Sequence, residues 1–106
     1  MALFGRKSVD KERIEYIQFL KKLSNSCDSV VRHAAKTEHH DKLHIISEDI
    51  RYFLPSDKAG VREVDRRINN ILGDLKILVV TNRDTYRIVS KIEDLESLII
   101  ERSSKL

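Results

Sequence analysis

From Tyr16 the apolar residues recur at Leu20, Leu23, Cys27, Val30 and Ala34, in steps of 4, 3, 4, 3 and 4. No glycine or proline interrupts them. At helical spacing all six fall on one face, so the segment must be a helix whose stripe is buried against other helices. The pattern predicts a helix from about residue 9 to residue 36. Ser8 is suited to cap it, and Asp10 would complement the dipole of its first turn. Residues 1–8 are expected as a flexible tail, and residues 9–106 as one domain.

Three further segments repeat the pattern. After the polar stretch Thr37–Asp41, with Thr37 as the expected cap, Leu43, Ile46, Ile50 and Phe53 follow at steps of 3, 4 and 3. Pro55 ends that helix, because the residue before a proline avoids helical angles. The turn Pro55–Gly60 offers Ser56 or Asp57 as the next cap. Val61, Val64, Ile68, Ile71, Leu75 and Leu78 then form a third stripe, reaching about residue 81. Asn82 is placed to cap a fourth helix carrying Ile88, Ile92, Leu95 and Ile99. The expected fold is all-α, an up-and-down four-helix bundle. Two alternatives turn on Thr81–Asp84. One is three helices with a single long C-terminal helix over 61–102, about 60 Å long, dimerised along that arm. The other is a hairpin of KILVVT and TYRIVS around Asn82.

A chain of 106 residues suits one domain with one core. Its 3 Gly and 1 Pro, among many Leu, Ile, Lys, Glu and Arg, agree with helix. The charge is mild: 20 basic against 17 acidic residues, net +3. Bulk electrostatics therefore neither demand nor exclude a polyanionic partner. With Cys27 the sole cysteine, no internal disulfide can form. No uninterrupted apolar run is longer than Ile77–Val80, far short of the roughly 20 residues of a membrane span. Met1–Phe4 is too short for the apolar part of a secretory signal. A cytoplasmic location is the expectation.

Four groups of residues could carry function. All four histidines lie between His33 and His44. His40 and His44 share a helix face and could chelate one metal ion, with Asp41 and Glu48 on the same polar side. The glutamate of a His-Glu-x-x-His motif is replaced by Asp41, however, and a His-rich solvated helix start accounts for the cluster. His39 falls on the apolar face as a packing residue. No metal and no cofactor are expected.

The acid pairs Glu12/Glu15 and Glu93/Glu96 have the spacing that bundles use to hold divalent ions. Glu12, Glu15 and Glu93 lie off the apolar stripes, and Glu96 near a seam lacks an inward partner. Ordinary surface charge explains them, and no catalytic residue is assigned.

Arg83, Arg87 and Lys91 line one helix face, and Arg62 and Arg66 another, with Arg67 beside them. Such residues suit phosphates. Glu63, Asp65, Asp84 and Asp94 are interleaved with them, and Glu63 with Arg67 forms an ordinary i,i+4 pair. No aromatic stacking platform or nucleic-acid-binding motif accompanies them.

The last group is apolar. Ile77 and Val80 fall off the stripe of the third helix, so the stretch Leu75–Val80 is apolar nearly all round, and Ile14 is off the stripe of the first. A helix apolar on every side is normally covered on every side, and exposed apolar patches mark association sites. Cys27 sits in a seam as a small hydrophobe. The expected function is a non-enzymatic helical protein-interaction module, an adaptor, regulator or assembly factor. It would act through the face of Ile77, Val80 and Ile14 on a second copy or a partner protein. The alternative is a nucleic-acid-associated bundle using Arg62, Arg66, Arg83, Arg87 and Lys91.

Overall fold

Four helices, α1 (Ala2–His33), α2 (His40–Arg51), α3 (Ala59–Thr81) and α4 (Thr85–Lys105), account for most of the chain. The computed structural model describes the backbone from Ala2 to Leu106, and side chains from Lys11 onward. No strand occurs among the described residues.

The stripe that dictates α1 is buried throughout: Tyr16, Leu20, Leu23, Cys27, Val30 and Ala34 all lie in the core. The helix begins at Ala2 rather than near residue 9, so Ser8 lies inside it rather than at a cap. The expected tail over 1–8 is helical backbone from Ala2, and its side chains are outside the described residues.

The connections differ from expectation in how the caps are used. Thr37 does not cap α2, which starts at His40. Its hydroxyl accepts from the His39 amide at 3.2 Å and donates to the Ala34 carbonyl at 2.8 Å, tying down the reversal between α1 and α2. Lys58 holds the N-cap position of α3 without a side-chain bond. The Ser56 hydroxyl instead accepts from the Lys58 amide at 3.2 Å, and Asp57 pairs with Arg62.

Asn82 is not the cap of α4. It closes α3 in the left-handed region, at φ 45 and ψ 38, with its amide donating to the Leu78 carbonyl. Asparagine tolerates this conformation better than most residues. Asp84 caps α4, its carboxylate accepting from the Arg87 amide at 3.0 Å. The chain therefore breaks at 82–84, and neither the long arm nor the hairpin forms.

Helix directions alternate. Tyr16, the start of α3 at Asp65, the end of α4 at Arg102 and Leu54 after α2 all meet at one end, called here the base. The neighbouring pairs are α1–α2, α3–α4, α1–α3 and α2–α4. The α2–α3 connection therefore crosses a diagonal of the bundle instead of joining adjacent helices. Of the four neighbouring pairs, α2–α4 is packed most sparsely.

The core stripe of α3 drifts from the expected heptad positions. Ile71 and Leu78 are only partly buried, whereas Leu72 and Val79 are buried fully. A straight helix repeats every 3.6 residues, so over five turns the buried face slips past a 3.5-residue stripe. In α4 the stripe passes through Leu98, with Ile99 partly buried, and ends on Arg102.

The base holds the other departure. Asp65, expected among the surface charges, is fully buried. It accepts from the Tyr16 hydroxyl at 2.5 Å and from Arg102 Nε at 2.7 Å. Arg102 also donates to the Leu54 carbonyl at 2.8 Å and stacks its guanidinium 4.0 Å over the Phe53 ring. Burial pushes the Tyr16 hydroxyl pKa up, and the hydrogen bond to Asp65 adds to the effect. One ion pair thereby joins α3 to α4, with further bonds to α1 and to the segment after α2.

Candidate interaction surface

Ile77 and Val80 are on the outer side of α3, as expected from their place off the stripe of Leu75 and Leu78. They are 69% and 59% exposed. Ile14 is exposed as well, but not beside them. It lies on α1 ahead of Tyr16, at the base, while Ile77 is twelve residues beyond Asp65 in α3, about 18 Å up the helix. The three residues are therefore not one patch.

A second apolar surface lies away from Ile77, Val80 and Ile14. Ile45 on α2 and Ile100 on α4 are 61% and 70% exposed. With Ile46 and Ile99 they line a groove of about 210 Å³ between the two helices, flanked by Lys42, Asp49 and Glu96. Lys42 also borders a neighbouring cleft of about 170 Å³ formed with Glu38, His39, Val89 and Ile92. The sparse α2–α4 packing leaves this seam open. The signal lay in Leu43–Ile46 and Leu98–Ile100, where apolar residues outnumber the positions one stripe can bury.

Arg62 and Arg66 lie on the α1 side of α3, in a cleft of about 340 Å³ with Glu12, Glu15, Tyr16 and Phe19. Arg62 stacks 4.3 Å over the Tyr16 ring and donates to the Ser56 carbonyl. Arg66 bonds Glu63, and that bond holds the Glu63 carboxyl below its usual pKa. Arg67 pairs across to Glu101 at 3.1 Å rather than with Glu63. The Glu101 carboxyl is also held low, chiefly by its bond to Lys105. Lys91 faces α3 and pairs with Asp74 at 3.5 Å, with Arg87 one turn before it on the same face. Arg83 and Arg87 are exposed. The arginines thus divide between two flanks of α3, and most engage carboxylates. At the α2–α4 groove, Asp49 and Glu96 form no ion pair among the described residues, and neither does Glu93, one turn before Glu96 on α4.

The rings of His40 and His44 stack at 5.9 Å between centroids. His40 Nδ1 is 3.2 Å from Asp41, and His44 Nε2 is 3.9 Å from Glu48. Among the described residues, no three His, Cys, Asp or Glu side chains converge as a metal site. His39 is buried, in keeping with its place on the apolar face. Cys27 is buried in the core, and burial, followed by the Asp28 charge, pushes its thiol pKa up to about 12. That disfavours a thiolate nucleophile. Glu12, Glu15, Glu93 and Glu96 are all exposed. Among the described residues, no helix is long and apolar enough to cross a membrane. Protein-family models, curated proteins and solved structures yield no match to this chain.

Proposed function

We propose that this protein is a non-enzymatic helical interaction module that associates, through apolar helix faces, with a second copy or a partner protein. The supporting observation is the exposure of aliphatic side chains on helices whose opposite faces already form a complete core. In α3, Leu75 and Val79 are buried while Ile77 and Val80 face outward. Lysine or glutamate would serve a purely solvated position better. A nucleic-acid role for Arg62, Arg66, Arg83, Arg87 and Lys91 has weaker support, since no single face carries them and Glu63, Asp57 and Asp74 already engage three of them.

Sedimentation velocity over a concentration series, with analysis of co-purifying proteins, tests this reading. Burying each such aliphatic side chain contributes about 1.5–3 kcal/mol. The variant Ile77→Asp/Val80→Asp should therefore lose association while keeping its helical circular dichroism. A wild type that remains monomeric and has no partner would contradict the reading for this face. So would a double variant that unfolds, because the two residues would then belong to the core.

A further inference from the structure

We propose that the α2–α4 groove receives an amphipathic helix bearing lysine or arginine beside its aliphatic stripe. The inference rests on the reading of this protein as an interaction module and assigns a second face and a class of partner.

Three observations carry it. The first is shape. From Val89 to Ile100 the seam spans eleven residues of α4, about 17 Å, which suits roughly three turns of a helix lying along two others. Exposed Ile45 and Ile100 offer aliphatic anchor points on either side, with Ile46 and Ile99 beneath them. This is the arrangement by which grooves between helices take a further helix.

The second is charge. The protein is net positive, yet the groove is bordered by Asp49 and Glu96, with Glu38 in the adjoining cleft and only Lys42 opposing them. Glu93 lies one turn before Glu96 on α4 and shares that face. Asp49, Glu93 and Glu96 have no ion-pair partner among the described residues. A cationic occupant complements such a rim and an anionic one is repelled.

The third is His39. It is 5% exposed and lines the cleft at the end of the groove, yet its Nε2 has no hydrogen-bond partner among the described residues. The nearest carboxylate oxygen, from Glu38, is 3.7 Å away. Buried polar atoms left without a partner are uncommon in folded proteins. A lysine or arginine from the occupant would donate to the exposed Glu38 carboxylate beside this ring.

The test uses the full chain and two labelled peptides of about 14 residues, roughly four turns. One is an amphipathic leucine–lysine helix, and the other has every lysine replaced by glutamate. Fluorescence anisotropy should show saturable binding of the lysine peptide, weakened by salt as exposed charge pairs are, and little binding of the glutamate peptide. Ile45→Lys/Ile100→Lys and Asp49→Lys/Glu96→Lys should each weaken it at least about tenfold, a change of 1.4 kcal/mol. Circular dichroism verifies that both remain folded. Equal binding of the two peptides, no binding, or indifference to both variants would overturn the assignment. If Ile77→Asp/Val80→Asp alone abolished binding, the groove assignment would fall while the interaction-module reading stood.

Discussion

Two regions depart from the rule that apolar groups go inside and charges outside, and they do so in opposite directions. At the base the bundle buries Asp65 and Arg102. Along α2–α4 it leaves Ile45 and Ile100 in solvent. The buried ions are answered within the chain. Asp65 accepts from both Tyr16 and Arg102, and Arg102 also reaches the Leu54 carbonyl. The isoleucines stay exposed, and Asp49 and Glu96 beside them have no ion-pair partner among the described residues. The contrast separates two kinds of exception. A buried charge with its hydrogen bonds complete concerns the fold, whereas an exposed apolar group flanked by unpaired charge points outward.

The two regions should respond oppositely to substitution. The largest effect is expected at the base, where removing one member of a buried pair leaves the other uncompensated. Asp65→Ala or Arg102→Ala should cost about 3–5 kcal/mol, read from urea unfolding. Replacing both at once with apolar residues of similar volume should cost less than either single change. If a single variant were nearly neutral, Asp65 and Arg102 would have to be solvated in solution.

A smaller effect is expected from Tyr16→Phe, which leaves one oxygen of Asp65 without its donor, at about 1–3 kcal/mol. The same hydroxyl gives a pH signature. Its pKa is raised on folding, so the stabilisation is complete below the ordinary tyrosine value of about 10 and is lost as pH rises through the folded value. Cys27, raised to about 12, adds loss of the same sign. Wild-type stability should therefore begin to fall above the ordinary thiol value of 9.0 as Cys27 is affected, and more steeply above the tyrosine value of about 10, where Tyr16→Phe should fall less steeply. Parallel alkaline profiles would remove Tyr16 from the account.

Much of the interior was legible in the residue spacing. All six stripe residues of α1 are core, because their rhythm and their flanking polar residues agree over five turns. Leu72 and Val79 were missed for the neighbouring Ile71 and Leu78, since a seven-residue repeat and a 3.6-residue helix diverge along α3. Asp65 stands between Val64 and Arg66 in a charged run, which in sequence reads as surface. What buries it is Arg102, thirty-seven residues later, and periodicity along one helix cannot show a partner on another. Arg102 did carry a signal, since it continues the steps Ile92, Leu95 and Leu98. Asn82 was assigned to the wrong helix end, because the same residue suits an N-cap and a left-handed C-terminal position. The exposure of Ile77, Val80 and Ile14 was foreseen. Their separation was not, because it depends on where α1 and α3 lie relative to each other. The α2–α4 groove stayed hidden for a similar reason, since its two walls are some fifty residues apart in the chain.

The smallest expected effect on stability addresses the central claim, that the exposed isoleucines and valine serve contacts outside the fold. Urea unfolding of the variant Ile45→Lys/Ile77→Lys/Val80→Lys/Ile100→Lys measures it directly. These positions are far enough out in solvent for surface behaviour, so the free energy of unfolding should stay within about 1 kcal/mol of a dilute wild type, with an unchanged m-value. A loss of several kcal/mol, on the scale of truncating a core residue, would show that these side chains stabilise the monomer, and the account would be wrong.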